Sequence, residues 1–247
     1  DFNENTYEQL PWFFAYFSMA GLMGIGLITT LVIHEPKVSV DAGTLAQEEV
    51  GSRWLRSHGG LPGWMEQLFE WVWRAVISPF VDFVRRYKWH AVLLLALIAT
   101  YRISDVVLGV ITNVFYYDMG FTKLQVANVS KVFGLIATLV GAILGGGLVG
   151  RFGVMPILFV GALLSAITNL LFAALAYIGY DLPMLVAVVA MDNLSGGLAV
   201  AAFVAYLSGL TNVSYSATQY ALFSSTMMLL PKLIGGFSGV TVDAYGY

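Results

Sequence analysis

The chain has 247 residues, of which 58% are hydrophobic and only 11% are charged, and its net charge is -3. Soluble domains carry roughly 25% charged residues, so this composition indicates an integral membrane protein. The small net charge gives no indication of a nucleic-acid partner. The absence of cysteine excludes disulfides, thiolate metal sites and thiol catalysis. The three histidines are scattered along the chain, and neither a metal site nor a cofactor is expected.

Six apolar segments predict an all-α membrane protein with six transmembrane helices, because about 20 apolar residues suffice to cross a bilayer. The first runs from Leu10 to Ile33 without a charge. The other five cover residues 90–117, 124–149, 155–177, 183–210 and 216–239. The short connectors between these five contain Gly, Pro, Asp or Asn, as turns do.

The first two segments are separated by a polar stretch. Residues 38–62 are polar and rich in glycine and predict a mobile linker, whereas 64–86 predict an amphipathic helix. Its tryptophans and basic residues suit either the headgroup layer or packing on the protein's own cytoplasmic face, and Pro79 is expected to kink it. Basic residues mark this linker as cytoplasmic; they are Arg53, Arg56, Arg74, Arg85, Arg86 and Lys88.

The second apolar segment carries an ion pair. Arg102 and Asp105 lie three residues apart and share one helix face, so they can pair and turn away from lipid together. A charge near the bilayer centre costs at least about 2.5–3.5 kcal/mol, and such charges usually serve function. Arg102 is the candidate for an anionic group of a substrate, and Asp105 for proton exchange. The alternative is a structural pair that joins two helices.

Polar residues continue this stripe and recur in later segments. Asn113 and Tyr116 follow Arg102 and Asp105 toward the end of the second segment, as candidate substrate contacts. Lys131 either serves function or extends to the headgroups. Weaker signals are Ser165 and Asn169, with Thr168 adjacent, and these are expected to bond neighbouring helices.

The last two segments hold further candidates. Asp192 is a second intramembrane carboxylate and a second candidate for proton coupling. Gly196 and Gly197 are expected to make that helix more flexible, which a transporter that changes conformation could use. Tyr215 and Gln219 share a face in the sixth segment, and their ring and amide suit a sugar or peptide, although helix packing is the alternative.

No enzyme is predicted. The sequence shows no nucleophile–base pair, no His-Glu-x-x-His zinc site and no Gly-x-Ser-x-Gly elbow. The Gly-rich stretch 145–153 lacks the Lys-Ser/Thr of a phosphate loop, so it predicts a tight cytoplasmic turn that Arg151 caps.

Several motifs resemble known transporters. The turn at 147–153 is similar to the second loop motif of the major facilitator superfamily, although Gly150 stands where that motif usually has Asp. More specifically, the chain resembles the AmpG-type muropeptide permeases. The motifs that carry this resemblance lie at 101–105, 113–121, 131–135, 192–197, 201–207 and 217–222.

The resemblance implies a proton-driven importer of N-acetylglucosamine-anhydro-N-acetylmuramyl peptides in the bacterial inner membrane. Such importers serve cell-wall recycling and influence β-lactamase induction in some bacteria. Muropeptide, protons and the lipid bilayer would then be the partners. The transporter fold would divide the chain into residues 1–36, ending an N-terminal half, the linker 37–89, and the C-terminal half 90–247.

The chain is read as a piece of a longer protein, because the resemblance leaves the N-terminal half and the last helix unaccounted for. The same superfamily also contains acetyl-coenzyme A transporters, which are one alternative. A non-transporting membrane scaffold and a solute channel are two others.

Overall fold

The computed structural model describes residues 9–33 and 63–245, and all regular structure within these ranges is helical. This confirms the all-α membrane class. Five helical runs in the described ranges are long and apolar enough to cross a membrane, namely 10–32, 90–118, 123–152, 154–178 and 182–210. The expected mobile linker 38–62, with Arg53 and Arg56, lies outside the described residues.

The first helix, α1, spans Gln9–Val32 and forms a unit of its own. Its hydroxyls donate to carbonyls of the same helix: Ser18 to Phe14 and Thr29 to Ile25, each at 2.7 Å. Because every polar group in lipid must be satisfied internally, this pattern suits a helix with an apolar surface in a membrane.

The second unit contains the remaining helices, joined by short turns. Two π-helical turns lie between consecutive helices of this unit. Trp73–Ile77 joins α2 (63–72) to α3 (78–87), and Val129–Gly134 joins α6 (123–128) to α7 (135–152). A 3₁₀ turn, Val213–Tyr215, precedes α10. The bounds are α2 Gly63–Val72, α3 Ser78–Tyr87, α4 His90–Thr100, α5 Ile103–Asp118, α6 Lys123–Asn128, α7 Leu135–Phe152, α8 Val154–Ile178, α9 Leu182–Leu210, α10 Ser216–Gly236 and α11 Ser238–Tyr245.

The sixth predicted span corresponds to α10, which has 21 residues. It is long enough to cross a bilayer, but it is less apolar than the five runs above. The cause lies in its sequence, because Ser, Thr and Gln occupy many positions of its first half.

The second predicted span is broken in its middle instead of forming one helix. Arg102 has φ -111° and ψ 17°, which ends α4 and starts α5. Tyr101, just before the break, donates its hydroxyl to the carbonyl of Leu158 at 2.9 Å. Its ring stacks on Phe203 with centroids 4.8 Å apart. Tyr101 is therefore held between α8 and α9, and the next residue leaves helical geometry.

Helix α9 lies at the centre of the second unit and packs backbone against backbone with α7. A Cβ atom on Gly141 would overlap the carbonyl of Leu194, and one on Gly197 would overlap the carbonyl of Thr138. Small residues at such positions allow two helices to approach closely. Helix α9 continues without a break through Gly196 and Gly197, so Gly197 provides close packing and not the loosening that its sequence suggested.

Two apolar layers form the core of this unit. The inner layer lies toward α3, the end that carries the basic linker residues, and it includes Phe83, Ile98, Leu158, Phe203, Leu207 and Phe223. The outer layer includes Phe115, Tyr116, Phe121, Phe172, Leu175 and Leu185. Along α5, α8 and α9 the residues between these layers are polar, and they form the candidate site.

Candidate functional site

The polar layer between the two apolar layers consists of Arg102, Asp105, Ser165, Thr168 and Asp192. Arg102 Nε lies 3.3 Å from Asp105 Oδ2, and the two side chains are 22% and 20% exposed. The pair is therefore partly exposed on the described bundle.

The helix break at Arg102 places Asp105 in the first turn of α5. The first turn of a helix has unpaired N–H groups and the positive end of the helix dipole, and both favour a carboxylate. Interrupted helices near the midplane form the substrate and ion sites of many transporters. The break therefore creates a helix N-terminus that stabilises the negative charge of Asp105, which the middle of a continuous apolar helix would not do.

Helix α8 connects the two carboxylates of the polar layer. Ser165 Oγ donates to Asp105 Oδ1 at 2.8 Å, and Thr168 Oγ1 lies 3.3 Å from Asp192 Oδ1. The Thr168 hydroxyl also lies 3.0 Å from the carbonyl of Ser165. One turn of α8 thus links α5 to α9 through three hydrogen-bonding contacts.

The carboxylates of Asp105 and Asp192 are close enough for their charges to interact. Next to Asp192, the amide of Asn193 accepts from Thr138 Oγ1 at 3.0 Å and donates to the carbonyl of Val189 at 2.8 Å. The Asp192-Asn193 pair therefore has two roles: the acid belongs to the polar layer, and the amide bonds α9 to α7.

The two other candidates on α5 lie in different surroundings. Tyr116 is 3% exposed, its ring stacks on Phe172 with centroids 6.4 Å apart, and it interacts electrostatically with Asp192. Asn113 is exposed on the same helix. Tyr116 thus adjoins the polar layer, whereas Asn113 faces outward.

Gln219 lies in a separate cluster, which we call the clasp, at the inner end of the bundle. Its Oε1 accepts from Arg86 Nη2 at 2.9 Å and from the Asn212 backbone N–H at 2.7 Å. Its Nε2 donates to the carbonyl of Pro79 and to Asp82 Oδ2, both at 2.9 Å. Gln219 is fully buried, and these four bonds use the whole capacity of its amide.

The clasp joins the linker helix α3 to the start of α10. Asp82 also accepts from Arg86 Nε at 3.0 Å and from Asn212 Nδ2 at 3.2 Å. Phe83 is buried beneath it and contacts Phe223, with ring centroids 4.9 Å apart. Tyr215, 7% exposed, lies in the 3₁₀ turn beside it. The structure therefore gives Gln219 a helix-joining role, with Tyr215 next to it.

The linker helix packs on the bundle through one of its sides. Ser78, Pro79 and Phe83 are buried against the bundle. On the opposite side Val81 and Val84 are exposed. Pro79 does not break the helix, because the π-helical turn at 73–77 ends just before it and Pro79 occupies the first turn of α3.

The remaining candidates lie at the surface of the bundle or in its helix contacts. The Gly-rich stretch is helical up to Phe152, so the turn predicted at 145–153 is confined to Gly153, and Arg151 is exposed in the last turn of α7. Its guanidinium lies 5.5 Å from the centre of the Phe152 ring. Lys131 is exposed on the π-helical turn before α7. A Cβ on Gly196 would meet no atom within 4 Å, so this glycine is not in a tight contact.

An apolar cavity of about 620 Å³ lies among α5, α8, α10 and α11. Its lining contains hydroxyls but neither Arg102 nor the two carboxylates. It therefore does not offer the charged and amide groups that a sugar or peptide would need. In residues 9–33 and 63–245, no three His, Asp or Glu side chains group together as metal ligands.

Sequence reasoning missed two parts of these sites. The bond between Thr168 and Asp192 was not predicted, although the sequence marked Thr168, beside Ser165 and Asn169, as a candidate for bonding a neighbouring helix. The clasp was missed because three of its bonds, Arg86–Gln219, Asp82–Gln219 and Asp82–Asn212, join positions 130 or more residues apart.

No family model matches this chain, but curated proteins do. It is 32% identical over 180 residues to the putative transporter AmpG 4 of Rickettsia felis, covering 73% of this chain and 43% of that protein. It is 32% identical over 241 residues to the anhydromuropeptide permease of Escherichia coli K12, covering 97% and 43%. Over most of its length the chain is similar to AmpG-type permeases. This confirms the resemblance noted in the sequence.

The chain spans less than half of the length of the curated relatives it matches, 43% in both cases above. A third relative, the putative transporter AmpG 4 of Rickettsia conorii, is 33% identical over 172 residues, or 70% of this chain and 41% of that protein. These relatives are named as transporters or permeases and not as enzymes. The AmpG-type chain is a multi-pass protein of the bacterial inner membrane.

Proposed function

We propose that the full-length protein is a proton-coupled importer of muropeptides, the N-acetylglucosamine-anhydro-N-acetylmuramyl peptides of cell-wall recycling, and that residues 90–247 form its C-terminal half. The observation that carries this proposal is the polar layer. Two carboxylates, a guanidinium and two hydroxyls lie together between apolar layers, which is the chemistry that proton exchange and an anionic cargo require. The name of the Escherichia coli relative, anhydromuropeptide permease, supports the choice of cargo.

We assign proton coupling to Asp105 and Asp192, and contact with the cargo's carboxylate to Arg102. Arg102 already lies 3.3 Å from Asp105. A substrate carboxylate would compete with Asp105 for this guanidinium, and protonation of Asp105 would free Arg102 for it. Tyr116 and Asn113 are proposed sugar or peptide contacts. Tyr215 and Gln219 stay predictions as substrate contacts. For Gln219 a structural role is better supported, because its amide already makes four hydrogen bonds within the protein.

The proposal is tested with the full-length protein in a bacterium that lacks its own muropeptide permease. We expect uptake of labelled N-acetylglucosamine-anhydromuramyl tripeptide that a protonophore abolishes. Uptake that persists without a proton gradient would indicate a channel or another driving force. If a correctly inserted protein gives no uptake, the muropeptide assignment is wrong, and acetyl-coenzyme A becomes the next substrate to test.

The role of Asp105 is tested by Asp105→Asn. Because the amide cannot take up a proton, we expect uptake driven by the proton gradient to fall at least about tenfold. A tenfold fall corresponds to a loss of about 1.4 kcal/mol of free-energy coupling between the proton and the substrate. Asp181→Asn is the matched control. Asp181 caps α9 by accepting from the Met184 backbone N–H at 2.8 Å, and asparagine caps equally well. An unchanged pH dependence in Asp105→Asn would exclude the coupling role.

A further inference from the structure

Thr168 is an uncharged residue at the centre of the polar layer. Its side chain is 1% exposed, and its single hydroxyl proton faces two acceptors. Asp192 Oδ1 lies at 3.3 Å and the carbonyl of Ser165 at 3.0 Å. Because one hydroxyl donates one hydrogen bond and accepts others, the proton of Thr168 can bond only one of the two acceptors at full strength.

The two acceptors differ in how they respond to protonation. When Asp192 is a carboxylate, it accepts only, and a charge-assisted bond from Thr168 is the stronger choice. When Asp192 takes up a proton from the water that reaches it, its new O–H needs an acceptor. The Thr168 oxygen can then accept, while the Thr168 proton turns to the carbonyl of Ser165. No covalent bond of Thr168 forms or breaks in this change.

We propose that Thr168 is a positioning residue for proton coupling, whose hydroxyl donates to Asp192 in the ionised state and accepts from it in the protonated state. This inference rests on the proposed function. Because Thr168 is buried, a polar group left there without a hydrogen-bond partner would raise the free energy of the protein. The arrangement avoids this penalty both when Asp192 is ionised and when it is protonated. Ser165 extends it, because Ser165 Oγ donates to Asp105 Oδ1 at 2.8 Å while its own carbonyl receives the Thr168 proton.

Other groups around Asp192 share its environment. Asp105 and Tyr116 on α5 interact electrostatically with it, and Arg102 pairs with Asp105. The remaining titratable or charged groups on the helices packed against α9 are Tyr101 beside the helix break, Lys131 on the π-helical turn, Arg151 at the end of α7, Tyr177 at the end of α8, and Tyr220 and Lys232 on α10. All are retained in the variants below, so a change can be assigned to the hydroxyl.

The bundle contains a matched control for this hydroxyl. Thr138 also divides its proton between a carbonyl of its own helix, Gly134 at 2.9 Å, and a side chain of α9, Asn193 at 3.0 Å. Its partner is an amide and cannot titrate. Thr138→Val and Thr168→Val therefore remove the same group from the same kind of contact, but only Thr168→Val alters a titrating partner.

The test measures the pH dependence of muropeptide uptake by the full-length protein at fixed membrane potential. We expect Thr168→Val to move the pH of half-maximal uptake upward by about half a unit to one unit, because the carboxylate loses a donor. Thr168→Ser restores the wild-type midpoint, and Thr138→Val leaves it unchanged. If Thr168→Val does not assemble, Thr168→Ala removes the same hydroxyl without adding bulk.

Infrared titration of the purified full-length protein gives a second measurement that needs no transport. The carbonyl band of the protonated acid, identified by its loss in Asp192→Asn, is expected to appear at higher pH in Thr168→Val than in wild type. An unchanged midpoint in both measurements overturns the inference. If uptake by the wild type does not depend on protons, the proposed function fails by itself, and the infrared shift still decides the role of Thr168.

Discussion

The buried amide of Gln219 uses all of its hydrogen-bonding capacity to join parts of the bundle. It is fully buried, and each of its four hydrogen-bonding positions meets a partner on α3 or in the turn before α10. In sequence it looks like a substrate contact, because amides bind sugars and Tyr215 lies one turn away. Nothing local reveals its partners, since Asp82 and Arg86 come from the linker.

We expect Gln219→Ala to destabilise the full-length protein by about 2–3 kcal/mol, because it leaves Asp82 and Arg86 with unmet hydrogen bonds. Thermal unfolding in detergent measures this loss. Ser225→Ala is the control, since Ser225 is exposed and donates only to the carbonyl of Ala221 in its own helix. An unfolding temperature of Gln219→Ala equal to that of the control would show that the clasp contributes nothing to stability.

The long helices α8 and α9 could be predicted from sequence almost to the residue. Their apolar runs at 155–177 and 183–210 differ by one residue or less at each end from the observed α8 and α9. The interruptions could not be predicted. The break at Arg102 depends on Tyr101 reaching Leu158 and Phe203, and the turn at 129–134 has no proline or other local signal.

Gly196 and Gly197 allow the packing of α9 to be tested with two adjacent substitutions. Gly197→Ala would push a methyl group into the carbonyl of Thr138, which should cost about 1–3 kcal/mol. Gly196→Ala meets no atom within 4 Å and should be neutral or slightly stabilising. Thermal unfolding of the two variants compares them directly, and equal stability would contradict the close contact between α7 and α9.

For the described bundle as a whole, the direction of its helices follows from where its basic residues lie. Arg85, Arg86 and Lys88 flank the inner end of α4, and the exposed Arg151 lies in the last turn of α7, at the end of the second helical run after them. Basic residues favour the cytoplasmic side. The connector between α5 and α6 should then face the periplasm, together with the connector between α8 and α9.

The absence of cysteine in this chain makes its orientation measurable. In a full-length protein made free of other cysteines, Lys123→Cys should react with a membrane-impermeant maleimide added to intact spheroplasts. The native Val213 is 70% exposed. Val213→Cys should react only after the membrane is opened. Lys123 lies at the outer end of α6 and Val213 in the turn before α10. The reverse labelling pattern would invert the assigned topology.

The sequence revealed the charged members of the polar layer, because charge within an apolar run is conspicuous. Arg102, Asp105 and Asp192 were each recognisable, and the structure brings all three together. Ser165 and Thr168 were recognisable only as weak signals for bonding between helices, because hydroxyls among apolar residues are common and their partners lie on other helices. Charged residues in a membrane can thus be found one by one, whereas the partners of the hydroxyls between them require the fold.

The backbone contact between α7 and α9 has a consequence for motion. Where two helices meet carbonyl against Cα, no side chain lies between them that could change rotamer and let them slide. We therefore expect α7 and α9 to move as one rigid piece during a transport cycle. Bending would then fall to the break at Arg102 and to the turn at 129–134, whose last residue, Gly134, borders Asn193. Both flexible points lie at the depth of the carboxylates, so a proton would arrive at the level where the bundle can change shape.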